Sequence, residues 1–208
     1  MFRERMVTPA IPERVFALCK IVEKKPIFNT ELKEKMEPEY LHQTSSYYSE
    51  YRTAAEELKL ITISDNMIYL AVDPSVIKTT ATMRKYINGL LSEFQSGQFY
   101  QVTKVYFELG SSVLKGEKSL VELAPMMRER LGRPVDAMAM RAWRFWVSYL
   151  GFGHLQDMFF IPNAAEFLKD IISVAGIEKG RRYSFGDFMA QIGPYIKIIV
   201  DVEASNHQ

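Results

Sequence analysis

Apolar residues near the start of the chain repeat at the spacing of one buried helix face. The positions i, i+3, i+4 and i+7 of that face are Val15, Leu18, Cys19 and Val22. This spacing predicts a helix that begins at Pro12, and Pro26 ends it because proline restricts the preceding residue to extended conformations. A short extended step follows, and Asn29 or Thr30 is predicted to cap a second helix.

The pattern then changes from helical periodicity to strand alternation. A third helix is predicted after Thr44 or Ser45, either of which has the side chain of a helix cap. Residues 61–72 alternate between apolar and polar positions around Asp65 and Asn66, two residues that favour a tight turn. The sequence therefore predicts an antiparallel hairpin over residues 61–72.

A similar order of elements follows in the second half of the chain. Helices are predicted over four stretches: residues 76–95, 99–109, 125–131 and 135–150. Pro125 favours a helix start and Gly132 favours a helix end. A short hairpin ending at Pro162 completes this half, and two C-terminal helices are predicted over residues 164–175 and from Ser184.

The order helix, short strand, helix, helix, hairpin over about residues 10–73 resembles that of the winged helix-turn-helix superfamily. Residues 99–162 resemble it in element order alone, without a residue-level repeat. The resemblance implies a mainly α-helical fold with small β-hairpin wings, in which two winged-helix-like units are joined by a helical connector. The expected parts are a first unit (1–75), a connecting helix (76–97), a second unit (98–162), and C-terminal helices with a tail (163–208).

The resemblance also implies duplex DNA binding by a regulator of transcription or of another DNA transaction. In this superfamily the third helix of a unit enters the major groove and the hairpin contacts the DNA nearby. The candidate DNA-binding residues at these positions are Ser45, Ser46, Tyr48 and Arg52 in the first unit and Arg133, Arg141 and Arg144 in the second. The alternative for the arginines is a core helix whose long side chains reach the solvent at its edge.

The charge distribution favours the second unit as the nucleic-acid contact. The whole chain has 26 basic and 25 acidic residues, a net charge of +1, which excludes a polybasic protein held on nucleic acid by bulk charge. Residues 1–75 contain 10 basic and 12 acidic residues, whereas residues 115–150 contain 7 and 4. The net charges are therefore −2 and +3.

A rival function is a protein-interaction scaffold within a larger complex, because tandem winged helices also serve in that role and the near-zero net charge suits it. A continuous basic stripe across both third helices would favour DNA, and an uncharged apolar patch would favour a protein partner. A weaker third possibility is a small effector pocket between the two units.

The candidate chemistry is sparse, and we expect a non-enzymatic protein without cofactor or metal. One cysteine and three histidines exclude zinc fingers and a disulfide framework. The chain contains no phosphate-loop lysine motif, no Gly-x-Ser-x-Gly nucleophile motif and no His-Glu-x-x-His helix. Cys19 lies on the predicted buried face of the first helix and is expected to be inert.

Location and association can also be predicted. The N-terminus lacks an apolar targeting segment and the longest apolar runs are too short to span a bilayer, so a cytoplasmic protein without membrane contact is expected. The last predicted helix has an apolar side formed by Phe185, Phe188, Met189 and Ile192. It is expected to pair across a two-fold axis in a homodimer, or else to fold back onto the connector at residues 83–94.

Overall fold

The computed structural model describes residues 2–41, 46–110, 112–113, 119–157 and 159–200, which form a mainly helical protein with two small antiparallel sheets. The helices of these residues are α1 (Pro12–Val22), α2 (Asn29–Met36), α3 (Tyr48–Glu57), α4 (Thr80–Leu90), α5 (Gln98–Glu108), α6 (Ala124–Leu131), α7 (Ala137–Tyr149), α8 (Ala165–Val174) and α9 (Phe185–Ile196). The strands are β1 (Ile27–Phe28), β2 (Ile61–Ser64), β3 (Met67–Leu70), β4 (Gly153–Gln156) and β5 (Phe159–Pro162). No helix among the described residues is long and apolar enough to cross a membrane.

The hairpin predicted over residues 61–72 is confirmed. Strands β2 and β3 pair antiparallel, and Ser64 lies opposite Met67. Between them, Asp65 and Asn66 both have positive φ, 50° and 62°, as a two-residue type I′ turn requires. Strand β1 pairs with the other edge of β3, which gives a three-stranded sheet in the order β1-β3-β2.

The second and third helices begin differently from the prediction. Asn29 is the first residue of α2 and does not cap it, because its side chain is used elsewhere. Helix α3 begins at Tyr48, and the side chain of Tyr47, the residue at its N-cap position, forms no capping hydrogen bond. The carboxylate of Glu37 accepts hydrogen bonds from the backbone N–H groups of Tyr47 (2.9 Å) and Tyr48 (3.2 Å), and so satisfies the free donors of the first turn. Thr44 lies outside the described residues.

The connector is not one continuous helix over residues 76–95. It consists of a 3₁₀ turn (Pro74–Ile77), helix α4 and a second 3₁₀ turn (Leu91–Phe94). The break has a local cause, because Thr79 and Thr82 form a capping box that starts α4 afresh.

The second half follows the predicted order closely. Pro125 lies in the first turn of α6, and Gly132 ends that helix with φ of 60°. Asp136 caps α7 by accepting the N–H of Ala139 at 2.8 Å. The short hairpin is confirmed as β4 and β5, and it ends at Pro162.

An N-terminal strap, defined as residues 2–10, links the two halves of the molecule. The Phe2 ring packs edge-on against Trp146, with centroids 5.6 Å apart. Trp146 Nε1 donates to the carbonyl of Ala10 at 2.6 Å, and the N–H of Met6 donates to Gln98 Oε1 at 2.7 Å. The strap therefore lies against α7 and the start of α5.

The C-terminal helices pack on the connector, which agrees with the fold-back alternative for α9. Helix α8 contacts α4, and α9 contacts both α8 and the 3₁₀ turn Leu91–Phe94. Within α9, Ile192 and Ile196 are buried by these contacts, whereas Phe185 is 81% exposed.

Candidate nucleic-acid interface

Helix α7 separates its side chains into a buried face and a solvent face. Its buried residues are Ala139, Met140, Ala142, Trp143, Trp146 and Val147. Its exposed or half-buried residues are Ala137, Met138, Arg141, Arg144, Phe145, Ser148 and Tyr149. At 3.6 residues per turn, the set from Ala137 to Ser148 lies within an arc of about 120°. Trp143 is fixed in the core, since its Nε1 donates to Thr103 Oγ1 at 2.9 Å.

The solvent face of α7 is positively charged. Arg141 is exposed and forms no ion pair with any described residue. The guanidinium of Arg144 lies 4.8 Å from the centroid of the Phe145 ring, and its buried Nε has no hydrogen-bond partner. No acidic residue occurs in α7, and the capping Asp136 is neutralised by Arg5 Nη2 at 2.7 Å.

Two further cations lie on the neighbouring helix α6. Arg128 and Arg130 are exposed and form no ion pair among the described residues, although Glu129 lies between them in the sequence. Neither arginine is among the candidate DNA-binding residues predicted from the sequence, because the winged-helix resemblance places the DNA contact on the third helix of the unit.

Arg133, a sequence-predicted contact, has an internal role instead. Its Nη1 donates to Ser96 O (3.2 Å) and Gln101 Oε1 (2.8 Å). Its Nη2 donates to the carbonyls of Arg3 and Glu4, each at 3.1 Å. Four hydrogen bonds hold this guanidinium, two of them to the N-terminal strap, so it is not free to contact DNA.

The first-unit candidates Tyr48 and Arg52 form hydrogen bonds within the protein. Tyr48 is only 3% exposed, and its hydroxyl donates to Asn29 Oδ1 at 2.9 Å. Burial raises the pKa of Tyr48 to about 12, although the Arg52 charge opposes that rise. Arg52 Nη1 donates to the same Asn29 oxygen at 3.1 Å, and its guanidinium lies 5.8 Å from the Tyr48 ring centroid. Both side chains therefore belong to an internal cluster.

Ser45 and Ser46 are the other two candidate DNA-binding residues of the first unit. Ser46 Oγ donates to Glu37 Oε2 at 2.7 Å, so it supports the cap of α3. Ser45 lies outside the described residues.

The solvent face of α3 is acidic and not basic. Its exposed residues are Ser49, Glu50, Thr53 and Glu56. Glu50 also lines two adjacent grooves, of about 470 and 460 Å³, that run between α3 and the N-terminal strap. Arg5 is common to both grooves, and Met138 at the start of α7 lines the second. No basic stripe therefore crosses both third helices.

The hairpin of the second unit extends the α7 surface. His154, Leu155, Gln156 and Asp157 are exposed on β4 and its turn. A groove of about 310 Å³ is lined by Ser148 of α7, by His154 and by Arg84 of α4. The sequence did not indicate Arg84, because it lies outside both predicted units.

Other chemistry is limited in the described part of the chain. No group of three or more histidine, cysteine, aspartate or glutamate side chains there could hold a metal ion. Cys19 is fully buried, and burial raises the pKa of its thiol to about 12. A catalytic thiol needs the opposite shift, since the thiolate is the nucleophile.

The relation of this geometry to known proteins was tested by three comparisons. The chain matches no family model, no curated protein and no solved structure, so its function has to be inferred from the α7 surface itself.

Proposed function

We propose that this protein binds duplex DNA through helix α7, as a non-enzymatic regulator of a DNA transaction. One observation carries the proposal: the solvent face of α7 has two arginines, Arg141 and Arg144, without an acidic residue on the helix or an ion-pair partner among the described residues. Arginines without acidic partners on a helix of this length suit the major groove, which admits one α-helix.

The residues of this face suit contacts with the phosphates and with the base edges of DNA. Arginine forms salt bridges with phosphates and bidentate hydrogen bonds with the O6 and N7 atoms of guanine. Met138 and Phe145 give apolar surface for a thymine methyl group. The exposed His154 and Gln156 on β4 would extend the contact beyond the helix, in the manner of a wing.

The proposal assigns DNA contact to the second unit alone. The exposed Glu50 and Glu56 on α3 would repel phosphates, and the first-unit candidates Tyr48 and Arg52 form hydrogen bonds within the protein.

Membership of the winged helix-turn-helix superfamily is part of this proposal. It is supported by the order of helices, the paired hairpins and the polar face of the third helix in the second unit.

The test is duplex binding by a double variant, R141A/R144A, measured by fluorescence anisotropy at two salt concentrations. Each lost phosphate contact should lower the salt slope of log K by about one and weaken binding by roughly 1 kcal/mol. R181A/R182A is the matched control, because it removes the same charge from an exposed loop near the C-terminus.

Comparison of the two variants distinguishes DNA contact by α7 from a general effect of the positive charge that is removed. Weakened binding by R141A/R144A with unchanged binding by R181A/R182A supports contact by α7. Equal weakening by both variants would contradict a specific surface, and so would an unchanged affinity of a folded R141A/R144A protein.

A scaffold role is the second candidate, and the acidic face of α3 favours it. Glu50 and Glu56 are exposed without ion-pair partners among the described residues, which suits a basic protein surface. In this case the wild-type protein has no duplex affinity at low salt. A partner that co-purifies in a fixed ratio with the wild-type protein would then be lost from E50K/E56K.

A further inference from the structure

The sheet of the first unit has one face that no described element covers. The register places Phe28 and Ser64 opposite Met67, and Thr62 opposite Tyr69. Side chains of paired residues share a face, and successive residues alternate between faces. The outer face therefore consists of Phe28, Thr62, Ser64, Met67 and Tyr69. The opposite face carries the core residues Ile27, Ile61 and Ile68.

The outer face presents two aromatic rings to solvent. Phe28 is 54% exposed and Tyr69 is 37% exposed, although the strand pattern places each beside a buried isoleucine. Tyr69 is two residues beyond Met67, the partner of Phe28, so the two rings are diagonal neighbours. Such neighbours in a sheet are roughly 7–8 Å apart.

Two exposed lysines precede the edge strand of this sheet. Lys24 and Lys25 precede β1, are exposed, and form no ion pair with any described residue. Because β1 is an edge strand antiparallel to β3, the chain before Ile27 runs toward the Tyr69 end of the sheet. The remaining polar side chains of the outer face are the hydroxyls of Thr62 and Ser64. The carboxylate of Asp65 accepts a hydrogen bond from Ser64 Oγ at 3.2 Å, so the acidic group beside this face lies at the hairpin turn.

We propose that this face binds single-stranded DNA, whose unpaired bases stack on Phe28 and Tyr69. Aromatic rings accept any base by its π-face, and lysines beside them hold the phosphates. Thr62 donates a hydrogen bond to a base edge or a phosphate, whereas the Ser64 hydroxyl already donates to Asp65 Oδ2. The proposal does not depend on duplex binding by α7.

The size of the face distinguishes this ligand from a protein partner. A specific protein interface covers about 800 Å² on each partner and is formed by roughly 20–30 residues. Five side chains, three of which carry hydroxyl groups, form a much smaller surface that fits a few nucleotides. The lysines give it the charge complementarity that a phosphate backbone needs.

The test uses a fluorescein-labelled oligonucleotide of fifteen thymidines at low salt, with the full chain. F28A/Y69A should lose roughly tenfold or more in affinity, since base stacking on each ring is lost. Y40A/F185A is the matched control, because Tyr40 and Phe185 are 83% and 81% exposed at other places. Its affinity should be unchanged.

Further substitutions at the same positions separate base stacking from apolar contact. F28Y/Y69F retains both rings and should retain the affinity, whereas F28L/Y69L retains apolar bulk and should lose it. K24A/K25A should lower the salt slope of log K by about 1.4, since each phosphate contact to a single strand contributes about 0.7. Equal loss in Y40A/F185A, or retained affinity in F28L/Y69L, would overturn stacking on this face.

Failure of this proposal can be told from failure of duplex binding. F28A/Y69A should leave duplex affinity unchanged, and R141A/R144A should leave the affinity for the thymidine oligonucleotide unchanged. A wild-type protein that binds duplex but not the oligonucleotide overturns the single-strand proposal alone and favours a protein partner for the sheet face.

Discussion

The carboxylate of Asp170 on α8 receives a bidentate pair of hydrogen bonds from Arg84 on α4. Arg84 Nε lies 2.8 Å from Oδ2 and Nη2 lies 3.3 Å from Oδ1. The side-chain amide of Asn88 donates to the same Oδ2 at 2.9 Å and to the carbonyl of Leu150 at 3.0 Å. The hydrogen bond with Asp170 raises the pKa of Arg84 above its ordinary value. This cluster ties the connector to α8 and to the end of α7.

Replacing Asp170 by Asn should lower the free energy of unfolding by about 2 kcal/mol. The substitution removes the negative charge of a largely buried carboxylate that accepts hydrogen bonds from Arg84. Arg84 then keeps its ion pair with Glu166, which is more exposed. The measurement is urea unfolding followed by circular dichroism. D157N is the control, because Asp157 is exposed in the hairpin turn, and an equal loss in both variants would contradict the prediction.

Replacing Arg133 by Ala should release the N-terminal strap. Three backbone carbonyls lose their donor, which should cost roughly 1–3 kcal/mol and expose the strap to proteolysis. R133K should not restore the strap, because an ammonium lacks the planar fork of a guanidinium. Limited proteolysis with identification of the first cut site checks this result. R130A, an exposed neighbour, should behave like the wild-type protein.

Replacing Glu37 by Gln should destabilise the protein at neutral pH by about 1 kcal/mol, the usual value of a lost helix cap. Desolvation raises the pKa of Glu37, but hydrogen bonds from Ser46 and from the N–H groups of Tyr47 and Tyr48 outweigh it and leave the pKa below 4.5. Because the pKa is depressed in the folded state, the stabilisation exists above the unfolded pKa and is lost as pH falls through the folded value. Urea unfolding at pH 7 and near pH 3 should therefore show a difference between E37Q and wild type only at pH 7. A constant difference at both pH values would exclude the charged cap.

Cys19 should not react with thiol reagents in the folded protein. Its side chain is fully buried and burial raises its pKa to about 12, so thiolate is scarce at neutral pH. Labelling should become fast only in denaturant. A C19A variant with Ser64 changed to Cys gives an exposed reference thiol that should label at once. Rapid labelling of native Cys19 would refute the buried helix register.

Helix α9 should not pair with a second copy of the chain. The homodimer expected from the sequence needs the apolar side of α9, but Ile192 and Ile196 are buried by contacts within the chain, and Phe185 is left exposed by itself on this helix. Light scattering at micromolar concentration should therefore give a monomer for the wild-type protein and for F185S. A wild-type dimer that becomes a monomer in F185S would contradict the fold-back of α9.

Local chemistry explains why the hairpins were predictable. The residues Asp65 and Asn66 tolerate positive φ, and the flanking alternation fixes which side chains face the core. Pro125 and Gly132 mark the ends of α6 for equally local reasons. The sequence therefore predicted these boundaries without knowledge of the tertiary structure.

The candidate site was predicted less well, because its outcome depends on distant contacts. Periodicity placed Tyr48 and Arg52 near the start of α3 but could not show that Asn29 binds both. The role of Arg133 depends on carbonyls about 130 residues away. The i, i+3 spacing of Arg141 and Arg144 predicts that both lie on one exposed side of the helix. Arg141 is exposed, but Arg144 is half-buried, because its stem packs against the helix surface and buries Nε.

The N-terminal strap also has a consequence for synthesis on the ribosome. Trp146 is 136 residues beyond Ala10, whose carbonyl it binds. At 5–20 residues per second, the strap waits on the order of ten seconds before its binding surface emerges. During that time Phe2 and Met6, both buried in the finished protein, are exposed to solvent, and the three charged residues between them keep this part of the chain hydrated.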